Sequence, residues 1–188
     1  MSKSNAIVGS LSAIARAAGQ SLAEAFLGAD AIVVVDTSGS MDQADSRGGR
    51  RRYDVACEEL GKLQELMPGR IAVVAFSDAP QFAPGGVPPF TSGGTDLARA
   101  LAFVKPADGC VRVIVVSDGE PNAPGAAMRE ARGFKSPIDV VYVGPEGGSG
   151  ATFLADLARA SGGTYVTADR AHELASAVQK MIATGAVT

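Results

Sequence analysis

Asp36-Thr37-Ser38-Gly39-Ser40 sets one carboxylate and two hydroxyls at alternate positions, directly behind the apolar run Ala31-Ile32-Val33-Val34-Val35. A β-branched run that ends in Asp reads as a buried parallel strand delivering its carboxylate to a sheet edge. Gly39 permits the tight backbone between the two hydroxyls. A carboxylate with neutral hydroxyls is an oxygen-only set, which suits a hard cation such as Mg²⁺ or Mn²⁺. Two distant segments offer the same chemistry. Gly93-Gly94-Thr95-Asp96 opens a helical pattern with another hydroxyl, and the apolar run 111–117 ends in Asp118-Gly119.

Each residue alone has an ordinary structural role. Ser38 or Ser40 could form a turn or cap a helix, Thr95 could cap the helix that begins around Asp96, and Asp118 could be a turn residue before Gly119. Their joint order is harder to explain by packing. With Asp-x-Ser-x-Ser, a later Thr and a later strand-end Asp, the chain resembles the von Willebrand factor A family over roughly residues 29–183. The resemblance implies a metal-ion-dependent adhesion site. Ser38, Ser40 and Thr95 would be direct or near-direct ligands, and Asp36 and Asp118 would coordinate directly or through water. It further implies a partner protein whose Glu or Asp completes the coordination sphere. An adaptor or subunit of a larger assembly, including complexes with AAA-type ATPases, is the expected setting.

Strand patterns fall at 30–36, 70–77, 111–117, 138–143 and 163–167, and helical patterns at 52–66, 95–104, 124–133, 151–160 and 171–183. Alternation of this kind predicts an α/β fold, a doubly wound and mainly parallel six-stranded sheet in the order 3-2-1-4-5-6 flanked by helices. The short segment at 81–83 follows its predecessor too closely for a helical crossover, so an antiparallel edge strand is expected there. In that order the strands carrying Asp36 and Asp118 are neighbours at a switch point, where open α/β sheets bind ligands. Asp118 itself is expected at the sheet edge, outside the core.

The sequence divides into an N-terminal segment, 1–28, and the domain proper, 29–188. Within the first, Ile7, Leu11, Ile14, Ala18, Leu22 and Phe26 recur at steps of three and four, which predicts an amphipathic helix over 4–27. Its apolar face should lie on its own sheet or in an edge groove, with a partner chain as the alternative. The Gly-rich stretch 144–150 lacks the ending of a phosphate-binding loop and is expected to be a mobile surface loop.

A net charge of −3 over 188 residues gives no global reason to expect nucleic acid or an anionic membrane as partner. Arg47-Gly48-Gly49-Arg50-Arg51-Arg52 is the local exception. It reads either as a solvated loop entering a helix or as a basic rim, formed by Arg50, Arg51 and Arg52, that selects an acidic partner. Glu120 lies close enough to Asp118 in sequence to shape that rim. The cysteines, Cys57 and Cys110, are expected as buried thiols in a reducing compartment, and the N-terminus makes a poor signal peptide, so a cytoplasmic location is expected.

The rival class is a Mg²⁺-dependent hydrolase of phosphatase type with Asp36 as nucleophile. Phosphatases of that kind carry a second acid two residues after the nucleophile, and here that position is Ser38. The one histidine, His172, falls in the last helical pattern, far along the chain from the motif. A binding module, not an enzyme, is the expected class.

Overall fold

The computed structural model describes residues 7–170. In chain order the elements are helices α1 (Leu11–Ala18) and α2 (Leu22–Leu27), strand β1 (Ala31–Asp36), helix α3 (Arg52–Leu66), strands β2 (Ile71–Phe76) and β3 (Pro80–Phe82), helix α4 (Leu97–Val104), strand β4 (Arg112–Ser117), helix α5 (Pro124–Arg132), strand β5 (Ile138–Tyr142), helix α6 (Ser149–Ser161) and strand β6 (Tyr165–Thr167). The strands form one sheet in the order β3-β2-β1-β4-β5-β6, the predicted order, with β3 antiparallel to β2 and all other pairs parallel. The predicted helix over 171–183 and His172 lie outside the described residues.

Side chains alternate across a strand, and β1 shows what that does to the core. Ile32 and Val34 join Val74, Val115, Leu97, Leu101, Ala127 and Leu154 on one face. Ala31, Val33 and Val35 join Val55, Leu60, Leu63 and Val116 on the other. Both faces are therefore covered, α3 lying on one and α4, α5 and α6 on the other, which is why every residue of β1 and β2 is buried.

The N-terminal segment departs from the single predicted helix. Gly19 ends α1 in the left-handed conformation at φ 67°, donating its N–H back to Ala15 and Arg16. Ser21 then starts α2 with a reciprocal capping box to Glu24. The apolar stripe continues in sequence through this break, but the chain turns at Gly19 because a residue without Cβ adopts that conformation freely. The segment does pack on its own sheet: Leu11 and Ala15 are each only 2% exposed, and the Phe26 ring meets Phe82 edge-on at 5.6 Å.

Three further differences bear on the site. Helix α4 begins at Leu97 because Asp96 caps it, accepting from the Arg99 N–H at 3.0 Å. Helix α6 begins two residues early and takes in the end of the Gly-rich stretch. Of the two thiols expected to be buried, Cys57 is half-buried and Cys110 is exposed just before β4. No described helix is long and apolar enough to cross a membrane.

Leu11→Ala should cost about 3 kcal/mol of unfolding free energy, as large-to-small changes in a packed core do. Urea denaturation checks this; unchanged stability would mean that α1 is not part of the core.

Candidate metal centre

Strand β1 pairs with β4 up to Val35↔Val116, so Asp36 and the Ser117-Asp118 step emerge side by side at the carboxyl ends of two neighbouring strands. From there β1 leads to α3 on one face and β4 to α5 on the other. That divergence is the crevice where open α/β sheets bind ligands.

Asp36 is fully buried. Its Oδ1 accepts from the Ser38 N–H at 2.9 Å and its Oδ2 from the Ser117 hydroxyl at 2.6 Å. Ser38 Oγ and Ser40 Oγ lie 3.2 Å apart on the turn that follows. Burial first, and then the charge of Asp118, push the Asp36 carboxyl up to about 6, against the downward pull of the Ser117 and Ser38 hydrogen bonds. Ionising a carboxyl out of water is costly, and the second carboxylate beside it adds to that cost.

Thr95 arrives from the loop before α4 and is 5% exposed. Its segment is tied to every neighbour. The Ser92 N–H donates to Thr37 O at 3.0 Å, the Gly39 N–H to Gly93 O at 3.0 Å, the Gly94 N–H to Asp78 Oδ1 at 2.9 Å and the Asp96 N–H to Ser77 O at 2.8 Å. Asn122 closes the other side: its side-chain oxygen accepts from the Thr95 N–H at 3.1 Å, and its own N–H donates to Thr95 O at 3.0 Å. Ser92 sits at φ 59°, in the region that favours glycine, as the chain bends into the site. The three segments carrying Asp36, Ser38, Ser40, Thr95 and Asp118 are thus hydrogen-bonded to one another.

Asp118 corrects two expectations. It is 1% exposed, not a sheet-edge residue outside the core. Its partner is Arg52, expected in a rim or a solvated loop, which is 4% exposed and donates through Nη1 to Asp118 Oδ2 at 2.7 Å. The hydrogen bonds to Asp45 and then to Asp118 raise the guanidinium's pKa above its ordinary value, against the effect of burial. The other oxygen, Asp118 Oδ1, is buried with no hydrogen-bond partner among the described residues. Arg50 and Arg51 do remain partly exposed, paired with Glu58 and Asp42, and Arg51 lies over the Phe90 ring at 5.4 Å. Glu120 is exposed and accepts from the Ser149 hydroxyl at 3.0 Å.

The Gly-rich stretch is also more than a surface loop. Gly150, in the first turn of α6, packs so closely on the turn after β4 that a Cβ there would lie 1.9 Å from Asp118 O. Gly119 in that turn has φ 80°. Sequence reasoning missed this contact, it missed Ser117, Asn122 and Asp78 as groups that build the site, and it gave Arg52 a place in the rim and not its bond to Asp118. Ser117 alone carried a readable signal, a hydroxyl adjoining a strand-end Asp.

Among the described residues no three His, Cys, Asp or Glu side chains converge as a metal-binding group. A cation here would draw on two carboxylates and on hydroxyls. The donor chemistry fits a hard divalent ion, and so does a buried carboxylate oxygen with nothing to donate to it.

No protein-family model matches this sequence, and no curated protein matches it. Solved structures do. An aerotolerance-related membrane protein from Bacteroides fragilis superposes with a TM-score of 0.61 at 16% identity, covering 84% of this chain and 100% of that one. A von Willebrand factor type A protein from Catenulispora acidiphila gives 0.52 at 20% identity, over 80% of this chain and 41% of that one. The fold is von Willebrand factor A-like. A manganese-loaded TRAP protein from Plasmodium vivax shares it, with a TM-score of 0.59 at 14% identity over 81% of this chain and 74% of that one.

Gly150→Ala should cost about 2 kcal/mol of stability, since the added methyl would run into the backbone of Asp118 and Gly119. A thermal or denaturant melt that leaves stability unchanged would show that α6 can slide away from that turn.

Proposed function

We propose that this chain is a metal-dependent protein-interaction module. Asp36, Ser38, Ser40, Thr95 and Asp118 would hold Mg²⁺ or Mn²⁺, and a Glu or Asp of a partner protein would complete the ion's coordination. The observation that carries this reading is Asp118 Oδ1, a buried acceptor without a donor at the point where two strand-end carboxylates and a hydroxyl-rich turn meet. An oxygen set of this kind leaves a bound cation much of its charge, and a carboxylate is the natural group to meet it.

Several features support binding over catalysis. Both oxygens of Asp36 are engaged, by Ser38 and Ser117, which suits a ligand-orienting role better than nucleophilic attack. Position 38, where a phosphatase of this type would hold a second acid, carries a serine that instead donates its N–H to Asp36. A neighbour of the same fold, the TRAP protein, is manganese-loaded, which supports a divalent cation as ligand. Free thiols at Cys57 and Cys110 suit a reducing compartment, where the module would serve as an adaptor or subunit of a larger assembly, an AAA-type ATPase complex being one such setting.

Affinity capture from native extract in Mg²⁺, in EDTA and with Thr95→Ala tests the proposal; this substitution spares both buried carboxylates. Partners retained by the wild type in Mg²⁺ alone are the expected result, and the same set in all three conditions would contradict it. The exposed arginines give a second expectation. Charge reversal at Arg50 and Arg51 should weaken capture and flatten its dependence on salt between low and physiological ionic strength. An unaltered salt dependence would return both to a solvated role.

A further inference from the structure

We propose that Arg52 is the positioning residue of this metal centre: it holds one oxygen of Asp118 so that the other stays turned toward the cation, and it sets cation affinity without touching the ion. This rests on the metal reading above.

Arg52 stands where local rules oppose it. It is the first residue of α3, where a cation faces the positive end of the helix dipole, and Arg51 before it makes no side-chain capping bond. Burying a guanidinium adds a desolvation cost unless charged partners offset it. Departures from local preference on this scale concentrate at functional sites.

The bonding pattern says what the position is for. Nε and Nη2 grip the Asp45 carboxylate with both oxygens at 2.7 Å, and Nη2 also donates to Gln43 Oε1 at 2.8 Å. Nη1 gives Asp118 a bond to Oδ2. Gln43 and Asp45 lie on the stretch that continues the Ser38–Ser40 turn, so Arg52 joins that turn to the carboxyl end of β4. A guanidinium placed only to stabilise the core would satisfy the buried carboxylate before the exposed one. Here the assignment is reversed: Asp45, with its side chain 40% exposed, receives two bonds, while Asp118, with a fully buried side chain, receives one and keeps Oδ1 unbonded. The planar fork of arginine can serve two carboxylates at once in this way, and the point charge of lysine cannot.

The test is Mn²⁺ binding to the whole chain, read from the EPR signal of free Mn²⁺, for wild type, Arg52→Lys, Arg52→Met and Asp45→Asn, with a thermal melt of each variant in EDTA and in Mn²⁺. Positioning predicts that Arg52→Lys and Arg52→Met both lose about 10- to 100-fold in affinity, the usual effect of removing a group that orients a metal ligand. Asp45→Asn, at an exposed position, should lose less in the same direction, and it carries the test if Arg52→Met fails to fold. Tighter binding by Arg52→Met with an unchanged Arg52→Lys would make Arg52 a charge brake and overturn the proposal. Unchanged affinity in variants that melt earlier by equal amounts with and without Mn²⁺ would overturn it as well, leaving a stabilising ion pair. A wild-type chain that binds no Mn²⁺ would remove the metal reading first, and this inference with it.

Discussion

Parallel pairing of β1 with β4 forces Asp36 and Asp118 out of water side by side, and much of the local structure answers that constraint. Like charges in a low-dielectric setting repel strongly, so the pair calls for donors or a cation around it. Around Asp36 the answer is hydrogen bonding, from one backbone N–H and one serine hydroxyl. Around Asp118 it is the Arg52 guanidinium, and that answer is incomplete, because one buried oxygen goes without a partner. The unmet demand of the pair is what gives the site its chemical direction.

Rigidity follows from how the third segment is held. The loop carrying Thr95 has no regular structure of its own, yet its backbone is bonded to the turn after β1, to the end of β2 and to Asn122 beyond β4. A hydroxyl delivered by such a loop is placed by the sheet and not by the loop. The close approach of Gly150 to the Asp118 carbonyl does the same for the turn after β4, setting α6 as its backstop. Pre-organisation of this kind lowers the entropy cost of capturing a ligand.

The sheet order was legible because its strands are short β-branched runs and its connections are either long enough for a helix or, at 77–80, too short for one. The strand-end positions of Asp36 and Asp118 followed from the same runs. What stayed hidden depended on contacts remote in sequence. Arg52 sits among arginines and glycines, a composition that belongs to solvated loops, and its buried partner, Asp118, is 66 residues further along the chain. Asn122 and Asp78 look like turn residues until the Thr95 loop is laid between them. At the N-terminus the helical stripe ran on through Gly19, and periodicity alone could not see that a capping box at Ser21 would restart the helix in a new direction.

The most direct measurement is an amide-resolved NMR titration of the chain with Mg²⁺, reversed by EDTA. A metal centre at the carboxyl ends of β1 and β4 predicts saturable shifts centred on the amides of Ser38 to Ser40, Gly94 to Thr95 and Gly119. Absence of any saturable shift, or shifts scattered over exposed acidic side chains far from these strands, would contradict it.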